Sequence, residues 1–234
     1  MKTISVVMPV YNHHQKFKRS LDSVLNQSYP EVEIIVVDDG SSPSVASVLS
    51  DEDKNKIKLI RQQNKGAPAA RNKGLENVQG EFVIFFDSDV VAEKDMLKRM
   101  KLALDNHPEK SFSYCNYKYG FKKMPAREFS PQKLKQNNYI HTTSLIRTKD
   151  VVKWDENLDR FQDWDLWLTL LEQGKEGVWI DEYLFEILSK NDGMSEWLPS
   201  FAYHPPFSWV PGIKKKVQDY KQAKRRVEKK HGLV

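Results

Sequence analysis

The stretch Phe82-Val83-Ile84-Phe85-Phe86-Asp87-Ser88-Asp89 sets a strand-length apolar run directly against two carboxylates one residue apart. Side chains i and i+2 share a face of a strand, so both acids are expected to point the same way where a buried strand leaves its sheet. Mg²⁺ or Mn²⁺ takes oxygen ligands, and when held by one or two carboxylates it completes its shell with water and substrate phosphates. Chemistry on a phosphate ester or a nucleotide is the leading expectation.

Three similar runs precede this one, at Ile4 to Val10, Val32 to Val37 and Ile57 to Ile60, each about one strand–helix–strand unit apart. Helical spacing fills the gaps: Phe17, Leu21, Val24 and Leu25; then Val45, Val48 and Leu49; then Ala67 to Val78, with Pro68 suited to a first helical turn. Near-continuous apolar strands alternating with amphipathic helices predict an α/β fold, a mostly parallel sheet covered on both faces. Ligands bind such sheets beyond the carboxyl ends of the strands. Pro9-Val10-Tyr11-Asn12, Asp38-Asp39-Gly40-Ser41 and Asp87-Ser88-Asp89 should therefore gather on one edge.

After Asp89 the pattern predicts a helix over Glu93 to Asn106, a strand over Phe112 to Tyr119 and a loop from Gly120 to Asn138. A strand over Tyr139 to Arg147, a helix over Asp163 to Gln173 closed by Gly174, and a strand over Gly177 to Ile187 follow. The domain reading is a body over 1–195, split into a nucleotide-binding half (1–92) and an acceptor half (93–195), with an aromatic and basic extension over 196–234. That extension ends in a basic helix from about Ile213.

With 234 residues the chain can bury a sizeable core. Its single cysteine, Cys115, excludes an internal disulfide framework, and its opening has no signal-like pattern, so a reducing cytoplasm is expected. No segment approaches the roughly 20 apolar residues of a spanning helix. The net charge of +5 is concentrated in the tail: from Pro211 to Val234, nine Lys or Arg face only Asp219 and Glu228. The body is thus slightly acidic, which argues against a nucleic-acid reader and leaves peripheral contact of the tail with an anionic membrane face.

With its elements placed, the sequence resembles the family 2 glycosyltransferases of the GT-A fold over roughly residues 4 to 190. Ser5 through Asn12 is similar to that family's first strand and base-binding loop, which includes Pro9. Val36-Val37-Asp38-Asp39-Gly40-Ser41 is similar to its second strand end, Gly66 through Gly74 to its third block, and Asp87-Ser88-Asp89 to its metal motif. Gln162-Asp163-Trp164-Asp165-Leu166 falls where the family has its catalytic acidic pair, with Gln162 standing where Glu is usual. Five such blocks in order carry the resemblance.

The resemblance implies a Rossmann-like GT-A sheet and an inverting transfer of one sugar from a nucleotide diphosphate sugar to a hydroxyl of a saccharide or lipid-linked acceptor. A Mn²⁺ or Mg²⁺ ion assists. It implies that Asp89 binds the metal directly and that Asp87 reaches the ribose or the metal through water, with Ser88 between them at the nucleotide. Tyr11 would stack on the base, Asp39 would accept a ring N–H (uracil or thymine favoured), and Arg71 would face base and phosphates. Asp163 would be the base that takes the acceptor's proton. The family often has a metal-binding histidine after the last core strand. None stands there, so Asp192 could substitute and Lys190 could meet a phosphate, with both as plain loop residues the equal alternative, and His141 reads as a strand histidine rather than a ligand. The Gln-x-x-Arg-Trp signature of processive synthases is missing, which favours single-sugar transfer.

Plainer readings exist for each residue. Asp87 and Asp89 could cap the following helix, Asp38 and Asp39 could build a turn, Arg71 could be a solvated helix residue and Asp163 a helix cap. Trp197, Phe201, Tyr203, Phe207 and Trp209 could pack the tail on the body rather than on a membrane. Two other functions compete. Ile84 through Val90 also fits the first motif of haloacid-dehalogenase-type phosphatases, with Asp87 as nucleophile, and Gln162 raises the possibility of an inactive sugar- or nucleotide-binding scaffold.

Overall fold

The computed structural model describes residues 3–188 and 211–234. The expectations for Lys190, Asp192, Trp197, Phe201, Tyr203, Phe207 and Trp209 fall outside these residues. Strands β1 (Ile4–Val10), β2 (Val32–Asp38), β3 (Lys58–Arg61) and β4 (Phe82–Phe85) are parallel and adjacent in the order β3-β2-β1-β4. All seven residues of β1 are buried, as a central strand covered on both faces requires.

On one face lies helix α1 (His14–Leu25), which buries Phe17, Leu21 and Val24. On the other lies α3 (Ala67–Leu75), whose Gly74 lets the helix backbone settle on β1. A Cβ there would stand 2.2 Å from a methyl of Val7. The segment at Val45 is only a 3₁₀ turn, Val45–Val48. A separate helix α2 (Asp51–Lys56) follows, nucleated by a reciprocal Ser50/Asp53 capping box.

Beyond β4 the sheet is mixed. A three-residue strand β5 (Val90–Ala92) and helix α4 (Met96–Asn106) follow the acidic motif. The 120–138 segment is no simple loop: it carries β7 (Lys122–Met124), hairpinned to β6 (Phe112–Tyr119), and helix α5 (Pro131–Gln136). The strand expected over Tyr139 to Arg147 shrinks to β8 (Leu145–Arg147), so His141 lies in irregular chain ahead of it rather than in a strand. β8 joins the halves, antiparallel to both β4 and β6. Helix α6 (Gln162–Glu172) leads to β9 (Gly177–Ile187), parallel to β6 and antiparallel to β5.

The C-terminal helix α7 (Pro211–Lys230) docks on α6. Val227 is fully buried, and Lys230 and His231 both bind the buried Asp165 carboxylate, at 2.7 and 2.8 Å. Packing of this helix against the body is thus an observed use of its apolar face. No described helix is long and apolar enough to cross a membrane.

Candidate active site

Pro9 explains why the acidic motif is free of the sheet. Parallel pairing between β1 and β4 ends at Val7 and Phe85, and Phe86 donates a last bond to the Val7 carbonyl at 2.8 Å. Pro9 has no N–H with which to extend the ladder, while on the other side β1 still pairs Pro9 with Val37. Asp87, Ser88 and Asp89 therefore sit in a turn, closed by a Val90 N–H to Asp87 carbonyl bond of 3.1 Å. The shared-face rule for a strand does not apply there, and the two acids meet different partners.

Asp87 is drawn toward the α3 side. The Arg71 guanidinium, 6% exposed, donates to its carboxylate at 2.7 Å, donates to the Gln162 side-chain oxygen at 3.1 Å, and lies 4.5 Å from the centre of the Trp154 ring. Arg71 is thus no solvated helix arginine. Gln162 passes its amide N–H on to the Leu158 carbonyl at 2.8 Å, a donation that the usual Glu could not make. That exchange gives a physical reason for the amide.

Asp89 lies near Lys16 of α1. Burial, and then the neighbouring charge of Asp87, push its carboxyl up to about 6, opposed by Lys16. Such a carboxylate gains from a cation. Ser88 is buried, with its hydroxyl 3.4 Å from His13 Nδ1, and Ser20 donates to the Asp87 carbonyl at 3.2 Å. No group of three His, Cys, Asp or Glu side chains among the described residues could hold a metal alone. A pair of carboxylates completed by phosphate oxygens is the donor set that fits this turn.

At the end of β2, Asp39 is 3% exposed and accepts from Gln62 Nε2, Lys65 N and Gly66 N at 2.8, 2.9 and 2.8 Å. This leaves about one of its four lone-pair positions for a ligand. Asp38 is wholly internal, held by Ser41 N, Ser44 Oγ and Val45 N, and these bonds lower its pKa against the opposing effect of burial. Asn12, with φ 56, ties the β1 and β2 ends through Ser41 and Ser42, and neighbouring Tyr11 leaves 48% of its surface exposed at the rim.

Asp163 stands at the second position of α6, not at its cap. The cap is Phe161, held in the left-handed region at φ 60. A bulky residue there is strained, and such strain concentrates at functional sites. Asn138 Nδ2 donates to Asp163 at 2.7 Å and the Trp164 N–H donates to its other oxygen at 2.9 Å. Burial raises its pKa, Asp87 adds to the rise, and Arg71 opposes it.

His141 completes the cluster, with its ring 4.9 and 5.0 Å from those of Tyr117 and Phe185. Its Nδ1 accepts from Thr143 N at 3.0 Å, and burial brings its pKa down to about 4, with the charges of Asp87 and Arg71 acting on it in opposite directions. It is a neutral imidazole beside the acids. Asn138 and Trp154 gave no periodic signal, since both lie in irregular chain far in sequence from what they touch.

The sequence pattern described as Glycosyl transferase family 2 matches residues 5–154. The chain is a family 2 glycosyltransferase. A glycosyltransferase of Haemophilus influenzae is 30% identical over 192 residues, which cover 76% of this chain and 75% of the relative. TuaG of Bacillus subtilis is 30% identical over 207 residues, which cover 82% and 81%. Among solved structures, TarS 1–349 of S. aureus in complex with UDP-GlcNAc matches with a TM-score of 0.70 at 22% identity, over 92% of this chain and 65% of that one. The same protein in complex with UDP gives 0.67 at 25% identity, over 80% and 61%. The glycosyltransferase therefore spans somewhat under two thirds of these solved chains and has their α/β fold. Membership of the family removes the phosphatase reading of Asp87.

Proposed function

We propose that this glycosyltransferase moves one sugar from a nucleotide diphosphate sugar, a UDP-sugar, to an acceptor hydroxyl with inversion at the anomeric carbon. The observation that carries the reading is Asp163, a carboxylate of raised pKa fixed by Asn138 across from the Arg71–Asp87 pair. The UDP and UDP-GlcNAc complexes of TarS support the donor class, and the name of TuaG, a teichuronic acid biosynthesis glycosyltransferase, supports a place in polysaccharide assembly.

Tyr11 would stack on the base and the remaining lone pair of Asp39 would accept its imide N–H, beside Pro9. Asp89, with Asp87, would hold Mn²⁺ or Mg²⁺, which when bound supplies positive charge for the departing diphosphate. Asp163 takes the proton of the acceptor hydroxyl as that oxygen bonds to the anomeric carbon. The bond from that carbon to the diphosphate oxygen breaks on the opposite face and leaves its electron pair on the nucleotide. Arg71 fixes the orientation of Asp87 and, through Gln162, the start of α6. The exposed Lys and Arg side chains of α7, such as Lys221, Arg225 and Lys229, are where an anionic membrane face would be met.

A thermal-shift panel of UDP, GDP, dTDP and CDP, each with and without Mn²⁺, tests the reading. A ligand that binds the folded state raises the melting temperature by mass action. The largest Mn²⁺-dependent rise is expected with UDP, and a panel with no metal-dependent shift would remove the role given to Asp89.

A further inference from the structure

A cleft of about 690 Å³ opens beside the acidic turn, between α1 and the β6–β7 hairpin. Lys16 and Arg19 line it from the helix and Lys118 and Lys123 from the hairpin, with Glu186 the one carboxylate among the described lining residues. No salt bridge among the described residues neutralises these four cations. Lys118 and Lys123 are direct cross-strand partners, with Glu186 opposite Lys118 on β9 and the Tyr183 ring 5.4 Å from the Lys123 ammonium, so this one carboxylate offsets only part of the positive charge gathered there. At the rim, Phe121 is fully exposed.

The cleft is joined to the acidic turn through its wall: Leu188 donates its N–H to the Asp89 carbonyl at 2.8 Å, and Ile187 pairs with Val90. The volume exceeds what a phosphate alone needs and matches a small organic ligand.

We propose that this cleft binds a phosphate ester carried by the acceptor, so that the glycosyltransferase selects a phosphorylated acceptor over a neutral sugar. The proposal rests on the donor reading above, which assigns the nucleotide's own diphosphate to Asp87 and Asp89. Arg19, Lys118 and Lys123 hold the acceptor phosphate, and Phe121 covers the sugar or isoprenoid attached to it.

The test titrates the full chain, in low salt with saturating UDP and Mn²⁺, with glucose 1-phosphate and with farnesyl diphosphate, and with glucose and farnesol as neutral controls. Arg19→Ala and the double variant Lys118→Ala/Lys123→Ala lie on different elements, so a folding defect in one leaves the other informative. Circular dichroism melts identify folded variants. At least one phosphorylated probe is expected to bind in the presence of UDP, at least fivefold more weakly to the variants and more weakly as salt rises, with UDP affinity unchanged. Binding of glucose 1-phosphate points to a soluble acceptor, and binding of farnesyl diphosphate alone to a lipid-linked one. The proposal is overturned if the phosphorylated probes bind no better than the controls, if they bind only by displacing UDP, or if folded variants bind them like wild type. Failure of UDP itself to bind would count against the donor reading, and the same titrations without nucleotide would still read the cleft.

Discussion

Asp87 and Asp89 are one residue apart and live under opposite conditions. Asp87 faces a closed cluster in which Arg71, Gln162 and Trp154 are locked to one another by short bonds and ring contact. Asp89 has no such clamp: burial and the charge of its neighbour hold its pKa at about 6, opposed by Lys16 and a backbone hydrogen bond. The difference teaches that a turn can divide labour between two identical side chains. One is anchored by a guanidinium, and the other is left under-compensated.

The comparison breaks first at the residue that faces the closed side. Asp163→Asn keeps the shape and the bond from the Trp164 N–H but cannot take a proton. Transfer is expected to fall by ~10²–10⁴-fold while UDP affinity stays unchanged, as read by product formation and by titration. Equal rates for wild type and variant would remove Asp163 as the base and favour an inactive scaffold.

The two motif acids should then fail differently. Asp87→Asn weakens the partner of a nearly buried guanidinium and is expected to cost about 2 kcal/mol of stability in denaturant melts. Asp89→Asn removes a charge that the fold disfavours, so stability is expected to hold or rise while the Mn²⁺-dependent shift with UDP disappears. Matching behaviour of the two variants would erase the distinction.

The smallest effect is in the pH profile. Because the pKa of Asp163 is raised, the acid limb of activity should lie above the ordinary carboxylate range, with rate lost as pH falls through it. The sign for stability is opposite: the native state favours the protonated form, so ionisation of Asp163 weakens the fold as pH rises. Gln162→Glu adds a negative charge nearby and should move the limb to still higher pH.

The long apolar strands β1, β2, β4, β6 and β9 were legible because each keeps a strand-length run of apolar or aromatic residues. β5 was missed because three residues carry no period, and its pairing comes from β9, almost a hundred positions downstream. β8 was overdrawn because Tyr139 to Ser144 reads as strand by composition, whereas Ser144 turns back to bond the Thr142 and His141 carbonyls. In the site, the motif residues were visible as chemistry at strand ends. Their partners were not, since Arg71 meets Gln162 across 91 positions and Asn138 meets Asp163 from irregular chain.

The clamp of Lys230 and His231 on Asp165 couples the C-terminal helix to the helix that carries Asp163. His231 lies 66 positions beyond Asp165, so a truncation that removes the end of α7 leaves a buried carboxylate two residues from Asp163 without these partners and is expected to loosen α6.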